Sequence, residues 1–217
     1  MVATASASAT LAAWAPPDPG QAALRQAFLG FLAARPDDAC DRCCVPGHLT
    51  ASTVLLDATD EHVLLTLHRR VGKWIQLGGH CEPSDASLAD AALREATEES
   101  GIDGLVLDPQ PVHLDVHPVT CSLGQPTRHF DVRFVAHAPA DAQPAVSAES
   151  VDVRWWPVEA LPAEQPGKID SITALVRRAR QANSAAPEEQ LVVAGERRVG
   201  VAADQLEDHA ADVEEQA

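Results

Sequence analysis

Positive charge is the scarcest feature of this sequence: 16 lysines and arginines face 32 aspartates and glutamates in 217 residues, a formal net charge of −16. A chain this acidic, with a sequence pI of about 4.8, has no basic patch for non-specific contact with nucleic-acid phosphates, so no stable nucleic-acid binding is expected. A small polyanion would bind only with a divalent cation to screen it. Long apolar runs are also missing. None approaches the roughly 18 consecutive residues of a membrane span, which excludes a membrane partner of that kind. Cysteines number five, an odd count, and the chain is no small disulfide scaffold; a reducing cytoplasm is the expected setting. Cys40 and Cys43 form a C-x-x-C with His48 downstream, but no second ligand pair follows at zinc-finger spacing, so free thiols are expected there. Met1 to Ala15 lacks the basic region and longer apolar stretch of a secretory signal.

What is present is an ordinary globular composition, 46% apolar and 22% charged, enough for one cored domain with tails. Residues 1–19 read as a disordered leader, 20–182 as the folded domain, and 183–217 as an acidic, mostly flexible tail. Gln21 to Ala34 has helical spacing through Leu24, Phe28, Phe31 and Leu32. Leu49–Leu56 and Val63–His68 read as a strand hairpin, followed by a basic loop, Arg69 to Lys73, and by Gly78-Gly79. Ser87 to Ser100 is the clearest helix, with Ser84 or Asp85 as its cap and Gly101 as its stop. Strands are expected around Val112–Val116, His129–Ala136 and Val151–Trp156, a loop at Pro118–Thr127, and a late helix at Ile169–Gln181. This mixed order predicts an α/β/α sandwich around a mixed sheet.

The chemistry concentrates in Arg94-Glu95-Ala96-Thr97-Glu98-Glu99-Ser100-Gly101-Ile102. Positions i, i+3 and i+4 share a helix face, so Glu95, Glu98 and Glu99 lie together. Three like charges on one face repel unless something neutralises them, and a hard divalent cation does so through oxygen ligands. A solvated acidic face is the plainer alternative for the glutamates taken alone.

The surroundings favour the cation. The run resembles the second half of the Nudix signature, G-x5-E-x7-R-E-U-x-E-E-x-G-U, with Ala96 at the first aliphatic place. Upstream, strict spacing reaches His80 and Ala86; one extra loop residue places Gly79 and Asp85 instead, and Gly78-Gly79-His80-Cys81-Glu82-Pro83-Ser84-Asp85 resembles the GGHxEPxD variant of that family. The resemblance covers roughly residues 47–181: Gly47 to Ser52 resembles its first core strand, Leu64-Leu65 with His68-Arg69-Arg70 and Trp74 its lead into the box, and Glu149 with Arg154-Trp155-Trp156-Pro157 a later metal-binding or base segment.

That resemblance implies a Nudix-type sandwich and metal-dependent hydrolysis of a phosphoanhydride bond in a nucleoside diphosphate linked to another group. It implies Mg2+ or Mn2+ held by the Gly79 carbonyl (Gly78 if the insertion falls differently), Glu95, Glu98 and Glu99. Glu98 or Glu149 would be the general base, with Glu98 ranked first, and Arg94 would hold the carboxylates. Asp85 would cap the helix or support Arg94.

Substrate contacts are read more openly. Arg69, Arg70 and Lys73 stand where they would attract phosphate, or are an ordinary basic loop. His113, Asp115 and His117 alternate on one strand, and His129, Asp131 and Arg133 on another. Two readings stay open: a polar substrate floor using His117, His129 and Arg133, or a solvent-facing side of two strands. A second metal site among these histidines is a lesser reading. The partner is a small phosphorylated, nucleotide-like substrate, and a homodimer is allowed. The alternative function is a non-catalytic nucleotide-binding sensor or regulator on the same fold, supported by the altered upstream box. An isomerase is weaker still, since Cys81 lies beside the loop and not on a core strand.

Overall fold

The computed structural model describes residues 4–70, 72–120, 124–148, 150–162 and 171–185. Apolar residues at a period of two build a seven-stranded sheet with strand order β3-β2-β1-β6-β5. Its strands are β1 (His48–Leu56), β2 (His62–His68), β3 (Lys73–Ile75), β4 (Leu77–His80), β5 (Val106–Thr120), β6 (Pro126–His137) and β7 (Ser150–Pro157); β4 also pairs with β1, and β7 with β2. The sheet is mixed. β1 runs parallel to β6 with His48 opposite His129 and Ser52 opposite Arg133, while its other edge takes β4 at Thr50–Thr53 and β2 at Leu55–Leu56, both antiparallel. Every residue of β1 is buried.

Helices cover both faces. Leu49 and Ala51 of β1, with Val132 and Phe134 of β6, pack under α1 (Thr4–Ala13), α2 (Pro19–Ala34) and α3 (Leu88–Ser100). Val54 and Leu56, one residue out of phase, pack on the other side against Leu175, Val176 and Ala179 of α4 (Ser171–Ala185). The expected sandwich is therefore present.

Three expectations need correction. Residues 1–19 are not a disordered leader: Thr4–Ala13 is helical, with Ala7 and Leu11 fully buried in the α2–β1 core. Its alanines favour helix intrinsically, and tertiary cover, which composition does not reveal, fixes it. Pro118–Thr127 is not an open loop, because β5 runs on to Thr120 and β6 starts at Pro126, pairing Thr120 with Pro126. The cap of α3 is neither Ser84 nor Asp85. It is Ser87, extended at φ −143° and ψ 169°, whose hydroxyl accepts from the Asp90 amide. The proposed tail lies outside the described residues beyond Ala185.

α3 carries the site, and its sequence explains its placement. Asp90 in the first turn complements the helix dipole. Ala91, Ala92 and Ala96 form a small-residue face buried against the sheet, close enough for the Thr53 hydroxyl to donate to the Ala92 carbonyl at 3.0 Å. Gly101 ends the helix in the left-handed region at φ 66°. At the sheet's edge, α2 supplies a different device. The buried Gln21 amide donates to the Leu114 carbonyl at 3.0 Å and accepts from its N–H at 2.7 Å, occupying the free side of β5.

Candidate active site

Arg94 is the hub. Its guanidinium takes Asp85 in a two-pronged pair, Nε to Oδ1 and Nη2 to Oδ2, both 3.0 Å. Nη2 also donates to the His80 carbonyl at 2.9 Å, and Nη1 donates to Glu95 at 3.1 Å and to Glu98 at 3.2 Å. One side chain thus ties the loop after β4 to two of the three helix glutamates. These charges hold the Arg94 pKa above its ordinary value, chiefly through the Asp85 hydrogen bond. Asp85 is buried, which by itself raises a carboxyl pKa, but the Arg94 hydrogen bond and the Glu82 amide outweigh this and its pKa is lowered. Of the two roles expected for Asp85, the geometry gives it the support of Arg94.

The glycines set the other wall. The Gly78 amide donates to Glu99 Oε2 at 2.8 Å, which turns that buried carboxylate toward β4. A Cβ on Gly79 would stand 2.5 Å from Glu95 Oε1, so any larger residue there would push this carboxylate out of its present place. Glu98 is the open member, its side chain 61% exposed against 17% for Glu95. The three carboxylates occupy one helix face, and each meets a donor: Glu99 the Gly78 amide, Glu95 and Glu98 the same guanidinium nitrogen of Arg94. Mutual repulsion of like charges is relieved in this way. The donor set, carboxylate oxygens beside a tight glycine strand, fits a hard cation of the magnesium or manganese class.

Other expected residues are distributed as follows. Arg69 donates to the Ser150 carbonyl at 3.1 Å, and Ser150 shares its hydroxyl with Thr66 at 2.6 Å, so the basic loop is pinned to the start of β7. Arg70 is exposed and Lys73 half-buried on β3. Glu149 lies outside the described residues.

The alternating residues do share one face of the sheet. Register places His113, Asp115 and His117 of β5 beside Arg133, Asp131 and His129 of β6, and these beside Ser52, Thr50 and His48 of β1. Asp131 accepts from Thr50, Ser52 and Arg133 at 3.0, 2.7 and 2.7 Å. Arg133 reaches on to Asp115 at 3.0 Å, and Asp115 bonds His117 Nδ1 at 2.8 Å. Arg133 is 3% exposed and committed to these two aspartates, which suits it to holding the face together. The solvent-facing reading is thereby narrowed: Asp131 and Arg133 are fully enclosed, and His113, Asp115, His117 and His129 are half-buried.

Burial opposes charge on Asp115, but the His117 hydrogen bond and the Arg133 charge prevail and hold its carboxyl at about 2. Burial, with Arg133 and Arg178 nearby, lowers His113 to about 4. Burial, then the charges of Arg42, His129 and His48, lowers His80 to about 3.

Sequence reasoning set His48 beside Cys40 and Cys43, and His80 in the glycine run, but joined neither to His129. Their rings stand 5.1 Å apart, and each lies 5.0 Å from His129. No local spacing marks them; only strand register joins positions 48, 80 and 129. Among the described residues Cys40, Cys43, Cys44 and Cys81 form no disulfide.

A family model described as the NUDIX domain matches residues 46–177. Among curated proteins none matches. Similar solved structures include an Ap4A hydrolase of C. elegans (17% identity, 64% of this chain and 98% of that chain, TM-score 0.48). A MutT protein from Methanosarcina mazei is similar at 22% identity, covering 64% of this chain and 97% of that chain, with TM-score 0.47. An ADP-ribose pyrophosphatase from Streptococcus suis follows at 18% identity, 64% and 93% coverage, and TM-score 0.46.

Proposed function

The chain belongs to the Nudix hydrolase family, and from that premise we propose that it cleaves a phosphoanhydride bond in a nucleoside diphosphate linked to another group, using Mg2+ or Mn2+. The observation that carries this is Arg94, whose guanidinium gathers Asp85, Glu95, Glu98 and the His80 carbonyl beside Gly79. A binding module has no need to fix two glutamates on one cation next to a glycine strand.

Glu95, Glu98, Glu99 and the Gly79 carbonyl would be the ligands. When bound, the metal acts as a Lewis acid toward phosphoryl oxygen and lowers the pKa of water. The chain's own residues do the rest. Glu98, the exposed carboxylate, takes a proton from the attacking water; Glu149 is the second candidate for that base. Arg94 and Asp85 hold Glu95 and Glu98 in place, and Glu99 stays locked to the Gly78 amide. Arg69, Arg70 and Lys73 meet the substrate's phosphates. His117 and His129, on the polar sheet face with Arg133 behind them, contact the remainder.

The test is release of nucleoside monophosphate or phosphate from a panel of nucleotide sugars, dinucleotides and nucleoside triphosphates, with magnesium, manganese or chelator. Glu98→Gln and Glu99→Gln each lower turnover by about 10²–10⁴-fold while the far-ultraviolet dichroism is kept. Wild-type rates in both variants would sink the mechanism. Tight nucleotide binding with no turnover across the panel favours the sensor reading instead.

A further inference from the structure

His48, His80 and His129 gather three nitrogen donors of a kind that the oxygen-bearing glutamate helix does not supply. Their donor nitrogens all lie within 4.8 Å of one another, the one such group of three found among the described histidines, cysteines, aspartates and glutamates. Three strands bring them together: His48 opens β1, His129 sits directly opposite it on β6, and His80 ends β4, paired with Thr50. His48 is fully buried, and apart from a looser contact to the Cys44 backbone its ring nitrogens make no well-formed hydrogen bond among the described residues. Burying polar nitrogens without partners is costly unless a ligand satisfies them.

We propose that His48, His80 and His129 bind one transition-metal ion of the zinc class, through donors different from those of the glutamate site. Imidazole nitrogen suits zinc, cobalt, nickel and copper, whereas the oxygen-only glutamate set suits magnesium and manganese. The two sites therefore sort metals by ligand chemistry. A tetrahedral zinc ion with bonds of roughly 2.0–2.1 Å sets its ligand nitrogens about 3.4 Å apart, so modest ring rotations from the present spacing close the site. Three protein ligands leave one coordination position, and His80 and His129, being half-buried, leave it on the open side. The Arg42 charge acts on both His48 and His80 and opposes any cation. Affinity thus rests on direct ligation and not on the local field.

The site also touches the catalytic loop covalently. His80 follows Gly79 in sequence, and its carbonyl accepts from Arg94.

The test uses the full chain, stripped of metal, and titrates Co2+ and then Zn2+ with millimolar Mg2+ present throughout. One equivalent of Co2+ is expected to give the visible absorption of a four- or five-coordinate ion, without a sulfur-to-cobalt charge-transfer band, and one equivalent of Zn2+ to abolish it. His129→Gln and His48→Gln each weaken Zn2+ binding by at least roughly a hundredfold. Glu98→Gln and Cys43→Ser leave it unchanged. The less buried His129 provides the safer variant, with dichroism confirming that it folds. Absence of saturable binding in magnesium overturns the proposal and leaves three rings packed on one another. So does undiminished binding in both histidine variants, or a thiolate band lost in Cys43→Ser. None of these readouts depends on hydrolysis, so this site and the catalytic reading can fail separately.

Discussion

Asp85 and Arg94 form the pair on which the glutamates depend. With Asp85→Ala the guanidinium loses its two-pronged partner and retains only the His80 carbonyl, Glu95 and Glu98. Leaving that charge under-satisfied should lower stability by about 1–3 kcal/mol in urea unfolding. Turnover should fall about 10–100-fold with KM little changed, as for loss of a residue that orients ligands. A change in KM alone would place Asp85 at the substrate. His113 makes a pH prediction. Its folded pKa of about 4 lies below the ordinary 6.5, so between those values the unfolded chain binds more protons than the folded one. Stability from the neutral imidazole is complete above pH 6.5 and is lost as pH falls toward 4. Urea midpoints should decline across that window, and His113→Gln should flatten the decline. An equal slope in the variant would remove His113 from the account. At this scale the sequence was informative wherever spacing is local: i, i+3 and i+4 spacing put Glu95, Glu98 and Glu99 on one side of α3. It left Asp85 between capping the helix and supporting Arg94, because the bond to Arg94 spans a loop, and it did not bring His48 and His80 together with His129, because strand register is decided by pairing at a distance.

Element by element, caps and edges decide more than the strands' composition reveals. The extent of β5 and β6 was underestimated because Pro118, Gly124 and Pro126 read as loop punctuation, whereas the pairing of Val119 with Thr127 carries the hairpin past Pro118. The helix of Thr4–Ala13 was hidden for the opposite reason: an alanine- and serine-rich segment has no strong pattern, and its order comes from the core it covers. Helix α3 read well in its body and its stop because the alanines and Gly101 agree locally, although its cap was placed two or three residues too early. Gln21 tests the edge device. Gln21→Ala removes both hydrogen bonds to Leu114 and leaves a backbone N–H and carbonyl of β5 without their partner. A loss of about 1–3 kcal/mol is expected by denaturant unfolding, with more self-association at high concentration as the edge becomes available. An unchanged midpoint and a monodisperse sample would show that water replaces the glutamine without cost.

Across the whole molecule, the excess of acid repels the very class of substrate proposed for it. With a net charge of −16, rising salt should screen that repulsion and raise kcat/KM several-fold between low and physiological ionic strength at fixed magnesium. A steady fall would mean that Arg69, Arg70 and Lys73 dominate the approach. Among the described residues no helix is long and apolar enough to cross a membrane. The placement of β1 carries a last consequence. Nine positions of this strand pair in parallel with β6, about eighty residues later in the chain. A ribosome-bound nascent chain that stops short of Pro126 therefore holds its most buried strand without its principal neighbour, and should be protease-sensitive until translation has passed His137. In the finished protein the same amides should be among the slowest to exchange with deuterium, since opening them requires the sheet to part on both sides at once.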